Sequence, residues 1–129
     1  MRDELNFYIN GEWVESDSSE TIEVVNPANE EIIGHVTAGS KQDINSAVMA
    51  ANEAFKLFSQ TSKNERIAYL EAIIKEYENR YQDFVDTITL EMGAPTWLSN
   101  RAQASTGIKN FNETLDALKI YEFEKPEGD

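Results

Sequence analysis

Hydrophobic positions change their spacing once along the chain, near Gly39. Before Gly39, apolar residues form short alternating or β-branched runs between turn signals, which is typical of β-strands. After Gly39, they recur every three or four residues, which is the period of an amphipathic helix. The pattern predicts strands and turns over residues 1–38, helices over 39–119, and a turn leading out over 120–129. The predicted fold class is therefore α/β.

The strand region contains a hairpin signal at Asn10-Gly11, between Phe7-Tyr8-Ile9 and Trp13-Val14. Asn-Gly is favoured in two-residue hairpin turns because both turn positions need positive φ. Two further strands are expected, and a turn at Asn26-Pro27 separates them because proline removes a ladder donor. These strands cover residues 21–25 and 32–37.

Capping signals mark the starts of the first two helices. Ser40 stands three residues before Asp43, and Ser62 stands three residues before Glu65. A serine at this spacing can accept a hydrogen bond from the third helical N–H, while the acid accepts from the serine N–H. The pattern predicts helix N-termini at both serines.

Three amphipathic helices are predicted in total. The second is expected to run without a break until Gly93 and Pro95 end it, and the third covers residues 96–118. Their apolar stripes are Ile44, Ala47, Val48, Ala51, Phe55 and Phe58; Leu70, Ile73, Ile74, Tyr77, Tyr81, Phe84, Val85 and Ile88; and Ala104, Ile108, Phe111, Leu115 and Leu118.

The charge balance restricts the possible partners. The chain has 11 Lys plus Arg against 24 Asp plus Glu, a formal net charge of −13. Such a field repels phosphate, so we expect neither nucleic acid nor a membrane surface as a partner. The sequence contains no long apolar run and no basic, apolar leader, which predicts a cytoplasmic protein.

Few side chains are suited to catalysis. The sequence has no cysteine, which excludes a thiolate nucleophile, a disulfide and a cysteine metal site within it. The six glycines are isolated from one another, so no phosphate-binding loop is predicted. The single histidine, His35, lies in a predicted strand without a neighbouring Ser or Asp pattern, and we interpret it as a strand residue.

Two carboxylate pairs are candidates for acid–base chemistry by proximity alone: Glu30-Glu31 and Asp83 with Asp86. With 24 acids in 129 residues, such pairs arise by chance, and solvated faces are the simpler interpretation. The residues themselves therefore predict no catalytic, cofactor-binding or metal site.

Six segments follow one another in a recognisable order. They are Tyr8-Ile9-Asn10-Gly11-Glu12-Trp13-Val14, Val25-Asn26-Pro27-Ala28, Glu31-Ile32-Ile33-Gly34-His35-Val36, the alanine-rich stretch 47–55, the stretch 62–70 with Glu65-Arg66, and Glu91-Met92-Gly93-Ala94-Pro95. Together they resemble the N-terminal part of the NAD(P)-dependent aldehyde dehydrogenase family. The similarity covers residues 7–129 and departs from the family at Ala94, where many members have lysine.

The resemblance implies that residues 1–129 form the N-terminal part of a cofactor-binding domain whose Rossmann-like core lies elsewhere. It implies a parent enzyme that oxidises an aldehyde to a carboxylate with NAD or NADP, through a thiohemiacetal on cysteine. The family's glycine-rich turn, Asn, Glu and Cys all come later than residue 129. No catalytic or cofactor-binding residue is carried over, so this chain alone is expected to be inactive and to bind no cofactor.

The resemblance also implies partners: the remainder of the dehydrogenase, in a homo-oligomeric parent. Some members bind a monovalent cation through carbonyls that correspond to Val24 and Val25. Ordinary strand carbonyls are an equal interpretation, and no metal is assigned. Two alternatives stay open, a free-standing acidic interaction module and a structural subunit that completes a dehydrogenase supplied as a separate chain.

Overall fold

A computed structural model describes residues 3–128, in which four strands precede a series of helices. By their contacts, residues 3–60 with Thr87–Ala94 form a first compact unit, and Thr61–Asp86 with residues 95–128 form a second. The elements are β1 (Asn6–Ile9), β2 (Glu12–Glu15), β3 (Thr21–Asn26), β4 (Glu31–Thr37), α1 (Lys41–Phe58), α2 (Lys63–Asn79), α3 (Tyr81–Met92), α4 (Thr96–Leu98), a π-helical segment (Ser99–Ala104) and α5 (Ser105–Ile120).

The strands of the first unit form two antiparallel pairs, β1 with β2 and β3 with β4. Asn10 and Gly11 join β1 to β2 with φ values of 56° and 83°, which confirms the predicted hairpin turn. The β3–β4 ladder is irregular between Val24 and Val25. The mixed strand-then-helix order confirms the predicted α/β class.

The second edge of β4 is covered by the start of the described chain. Glu4 pairs with Val36 in a parallel bridge, and the Glu4 N–H donates to the His35 carbonyl at 2.9 Å. The Thr37 hydroxyl donates to the Leu5 carbonyl at 2.8 Å. The first of these bonds satisfies the His35 carbonyl of an edge strand that would otherwise be open to pairing with another chain.

Both predicted capping boxes are present. The Asp43 N–H donates to Ser40 Oγ at 3.1 Å, and the Ser40 N–H donates to Asp43 Oδ2 at 2.8 Å. The equivalent distances between Ser62 and Glu65 are 3.2 and 2.7 Å. Hydrogen bonds from the Ser62 N–H and hydroxyl hold the pKa of the Glu65 carboxyl below its usual value. Each box satisfies N–H groups that the helix leaves without an internal partner.

The prediction of one continuous second helix is wrong, because the chain leaves the helical region at Arg80 (φ −105°, ψ 19°). Helix α2 ends at Asn79 and α3 begins at Tyr81. The apolar spacing continues across the break because one non-helical residue hardly alters the period. No Gly or Pro marks the position in the sequence, so the pattern alone did not reveal it.

The predicted third helix is helical over its expected length, but its first part contains the π-helical segment. Two tyrosines of the second unit reach the carbonyls of this segment. The Tyr77 hydroxyl donates to the Ala104 carbonyl at 2.9 Å, and the Tyr81 hydroxyl donates to the Asn100 carbonyl. A Cβ at Gly107 would lie 2.7 Å from Tyr77 Cζ, so a larger residue there would displace the Tyr77 ring.

Apolar burial is concentrated in the second unit. Among the described residues, the buried apolar side chains are Ile74, Val85, Ala104 and Leu115, and all four belong to that unit. Helix α1 of the first unit has no buried residue over its 18 positions. None of the helices within residues 3–128 is long and apolar enough to cross a membrane.

The Ser62 cap can be tested by mutation. Ser62→Ala should lower the free energy of unfolding by about 1 kcal/mol, because the Glu65 N–H at the start of α2 loses its acceptor. Denaturant unfolding of the wild type and the variant measures the difference. Ser19→Ala, in the exposed loop between β2 and β3, is the matched control. Equal unfolding midpoints for the wild type and Ser62→Ala would contradict the capping role.

Candidate functional site

Two of the segments that carry the family resemblance meet within the first unit. Gly93, directly after α3, lies against the turn that joins β3 to β4. A Cβ added at Gly93 would lie 2.8 Å from the Ala28 backbone nitrogen and 3.0 Å from Pro27 Cγ. The φ of Gly93 is +63°, a conformation that residues with a side chain rarely adopt. The contact therefore requires glycine for both its space and its backbone.

Asn26 builds the turn that Gly93 approaches. Its side-chain Oδ1 accepts from the Ala28 N–H at 2.9 Å, and its carbonyl accepts from the Glu30 N–H at 2.8 Å. A short side chain that closes a turn on its own backbone is the usual role of Asn before Pro. The turn thus presents the backbone of Ala28 in a fixed position, and the contact with Gly93 positions the end of α3.

The junction of Asn26-Pro27-Ala28 with Gly93 carries no group suited to proton transfer. Its contacts are a backbone N–H, a proline ring and a methyl group. Val24 and Val25 precede the turn at the irregular point of the β3–β4 ladder. Over residues 3–128, no cluster of three or more His, Cys, Asp or Glu is arranged to hold a metal ion. The arrangement can position backbone segments, and we assign it no chemical step.

His35 pairs with an acid that the sequence pattern did not point to. Its Nδ1 lies 3.0 Å from Asp3 Oδ1, and the same oxygen accepts from the His35 N–H at 3.0 Å. The hydrogen bond to the His35 side chain lowers the pKa of the Asp3 carboxyl. The pair ties the start of the described chain to β4, which agrees with the interpretation of His35 as a strand residue.

The carboxylate pairs lie on exposed turns and helix surfaces. Glu31 accepts from the Asn29 amide at 2.8 Å. Asp83 accepts from Arg80 Nε at 3.2 Å, and Asp86 accepts from the Gln82 amide at 2.7 Å. Three of the four carboxylates, Glu31, Asp83 and Asp86, are thus engaged with a near neighbour in sequence, as on an ordinary solvated surface.

One open depression of about 280 Å³ is lined by Asp3, Glu4, Leu5, Asn6 and Trp13. The Trp13 ring forms one wall and also packs across the hairpin against Tyr8, with ring centroids 5.2 Å apart. Cross-strand aromatic pairs stabilise a two-stranded hairpin. The depression is wide open to solvent, and we assign it no ligand.

Comparison with known proteins identifies the family. The family model described as aldehyde dehydrogenase family matches residues 13–127. The chain belongs to the aldehyde dehydrogenase family. It is 54% identical over its full length to putative aldehyde dehydrogenases of Staphylococcus aureus strains, including USA300, and spans 27% of their length.

Solved structures show the same portion of that fold. An aldehyde dehydrogenase from Bartonella henselae superposes with a TM-score of 0.93 and 35% identity, over 95% of this chain and 26% of that protein. Aldehyde dehydrogenase C from Pseudomonas syringae, a variant in complex with NAD+ and octanal, gives 0.91 and 36%, over 95% and 25%. The family resemblance seen in the sequence is confirmed.

The sequence identified both segments of the junction but not their contact. The Gly93-Ala94-Pro95 run signals the end of a helix, and Asn26-Pro27 signals a turn. Nothing in either pattern says that the two meet, because a contact between distant segments leaves no local periodicity. Positive φ at a glycine after a helix is the only part of the geometry that the sequence could indicate.

Substitution of Gly93 tests the close approach. Gly93→Ala should lower the free energy of unfolding by about 3 kcal/mol or more, since it combines backbone strain with a clash against the Ala28 nitrogen. Gly11→Ala is the matched control. Gly11 also has positive φ, +83°, but nothing lies within 4 Å of its added Cβ, so we expect a loss of about 1 kcal/mol. Equal losses in denaturant unfolding would contradict the tight contact.

Proposed function

We propose that this chain serves as the N-terminal segment of an NAD(P)-dependent aldehyde dehydrogenase, an oxidoreductase that converts an aldehyde to a carboxylate. The observation that carries the proposal is the family match over residues 13–127. The superposition on 26% of the Bartonella henselae enzyme with a TM-score of 0.93 supports it. We assign residues 1–129 to the N-terminal part of the cofactor-binding domain.

The segment contributes position rather than chemistry. When bound in the complete enzyme, NAD or NADP supplies the hydride acceptor. The isolated glycines of this chain do not fit the phosphates of such a cofactor, so we assign it no cofactor-binding residue and no catalytic residue. Its part in the parent is to hold strands and helices in place, as Gly93 and the Asn26 turn do for the end of α3. A similar structure, the Mycobacterium tuberculosis aldehyde dehydrogenase, is a complex with NAD+, which supports NAD for the parent.

The principal partner in this proposal is the remainder of the dehydrogenase. The first unit buries none of the described apolar side chains, although its helix α1 is strongly amphipathic in sequence. A helix face with several exposed large apolar side chains is typical of a surface that another part of a protein covers. The family resemblance supports a homo-oligomeric parent. A net charge of −13 and the lack of cysteine support a cytoplasmic location without nucleic acid or membrane partners.

The same exposed surface favours one of the two alternatives. A structural subunit that completes a dehydrogenase supplied as a separate chain would need such a surface equally. A free-standing interaction module would have to close its own core, and the absence of buried apolar side chains among the described residues of the first unit argues against that.

The isolated chain should show no dehydrogenase activity, because it contains no cysteine to form a thiohemiacetal. The purified chain is assayed with a panel of aldehydes and with NAD or NADP, by the absorbance of reduced nicotinamide. The complete Staphylococcus aureus relative, assayed identically, is the control. Turnover above the uncatalysed rate that survives repurification and scales with chain concentration would contradict the claim that this segment contributes no chemistry.

A further inference from the structure

The tip of the β1–β2 hairpin joins an asparagine to a glycine. Asn10 is the only asparagine of the sequence that is followed by glycine. In such a pair the backbone nitrogen of the glycine can attack the side-chain amide of the asparagine, because glycine has no side chain to obstruct the approach. Asparagine is for the same reason one of the residues that heat damages in proteins. The hairpin turn is therefore also a position of chemical reactivity.

The backbone nitrogen of Gly11 is free to react. Among the hydrogen bonds of residues 3–128, none is donated by the Gly11 N–H. Ile9 and Glu12 form the last pair of the hairpin ladder, so the two turn residues lie outside it. Gly11 is exposed, and nothing besides its chain neighbours lies within 4 Å of a Cβ added there. No packing contact therefore opposes local rotation of the Asn10–Gly11 peptide.

The side chain of Asn10 is accessible as well. Asn10 is exposed, and within the described part of the chain its amide forms no hydrogen bond. The amide of Asn29, in the turn between β3 and β4, instead donates to Glu31 Oε2 at 2.8 Å. The Cγ atom of Asn10 is thus open to attack, and its amide nitrogen can leave into solvent.

The other asparagines each lack one of these conditions. Asn26 is followed by Pro27, which has no N–H. Asn29 is followed by Glu30, whose N–H donates to the Asn26 carbonyl at 2.8 Å. The remaining asparagines lie in β1 or in helical segments and are followed by residues whose side chains obstruct the approach: Asn6, Asn45, Asn52, Asn64, Asn79, Asn100, Asn110 and Asn112.

We propose that Asn10 is a site of spontaneous deamidation in the folded chain. The Gly11 nitrogen gives its proton to hydroxide and bonds to Asn10 Cγ. The bond from Cγ to Nδ2 breaks, and Nδ2 takes a proton from water and leaves as ammonia. A five-membered succinimide ring remains. Solvent water and hydroxide are the only co-reactants, and no atom is oxidised or reduced.

Water then opens the succinimide ring at one of its two carbonyl carbons. Cleavage of the bond between the Gly11 nitrogen and Cγ leaves aspartate at position 10. Cleavage of the bond between that nitrogen and the main-chain carbonyl carbon of residue 10 leaves isoaspartate, in which the backbone runs through Cβ and Cγ. Both products add one negative charge, but only isoaspartate lengthens the backbone.

The two products affect the hairpin differently. Asn10 and Gly11 both have positive φ, as the two-residue turn requires, and aspartate before glycine suits the same turn. The turn fixes the register, which places Tyr8 opposite Trp13 with ring centroids 5.2 Å apart. The extra backbone atom of isoaspartate should shift β1 along β2 and separate these rings, whereas aspartate should leave them in contact.

Peptide mapping measures the rate at each asparagine. The folded chain is incubated in warm, mildly alkaline buffer, and its helical circular dichroism is recorded throughout to show that it stays folded. Cleavage after glutamate yields the peptide 5–12, which contains Asn10. Asn10 should deamidate about tenfold or more faster than Asn29. The synthetic peptide 5–12 is the unfolded reference, and Asn10 in the folded chain should react within about tenfold of its rate because the turn is exposed.

Variants at the two turn positions provide the controls. Gly11→Ala should slow the reaction about tenfold or more, because the added Cβ obstructs the attack. Asn10→Gln should slow it similarly without altering Gly11, since its longer side chain forms a less favourable six-membered ring. Asn10→Asp reproduces the added charge on a normal backbone. In a Trp97→Phe background, where Trp13 is the only tryptophan, Asn10→Asp should keep the near-ultraviolet circular dichroism of Tyr8 and Trp13, and the purified isoaspartyl fraction should lose it.

Three results would overturn the proposal. Asn10 that stays intact in the folded chain while the peptide 5–12 is converted would show that the turn protects it. Equal rates at Asn10 and Asn29 would remove its selectivity. An unchanged rate in both Gly11→Ala and Asn10→Gln would exclude the succinimide route. An isoaspartyl fraction with the near-ultraviolet spectrum of the wild type would contradict the predicted shift of the hairpin register.

Discussion

The structure depends on apolar burial that the first unit does not achieve with its own residues. Fixing the backbone of each residue costs about 1–2 kcal/mol in conformational entropy, whereas one intramolecular hydrogen bond contributes a net value of about 1 kcal/mol. Hydrogen-bonded strand pairs and a capped helix therefore cannot sustain this unit without apolar contacts. Its described residues bury no apolar side chain fully, and Phe7, Ile33 and Val36 are only half-buried, so the unit keeps apolar surface in contact with water.

The second unit contains a small apolar core. Ile74, Val85 and Leu115 are buried, and Tyr77 stacks on Phe84 with ring centroids 4.1 Å apart. The Tyr77 hydroxyl also satisfies the Ala104 carbonyl in the π-helical segment, where the regular ladder of hydrogen bonds is disturbed. A side chain from another element thus supplies a donor to a carbonyl of the irregular segment.

Features that rest on neighbouring residues could be predicted, and features that rest on distant contacts could not. The Asn10-Gly11 hairpin and both capping boxes are local, and the sequence predicted each of them. The break at Arg80 and the π-helical segment leave the apolar period intact, so the spacing indicated neither. For the site, the family resemblance identified the Asn26-Pro27 turn and the Gly93 loop, while their contact became visible only in three dimensions. The sequence also did not reveal that the apolar side of α1 faces solvent, because an apolar stripe does not indicate which surface it packs against.

Sedimentation velocity of the isolated chain across a salt series tests most directly the claim that the segment does not close its own core. Salt screens exposed charges separated by more than about 8–10 Å, and so weakens the repulsion between acidic copies, while apolar attraction persists. The account predicts that self-association of the chain strengthens as the salt concentration rises. It also predicts that the chain binds a hydrophobic dye at every salt concentration. A compact monomer at all salt concentrations, without dye binding, would contradict it and would favour a free-standing module.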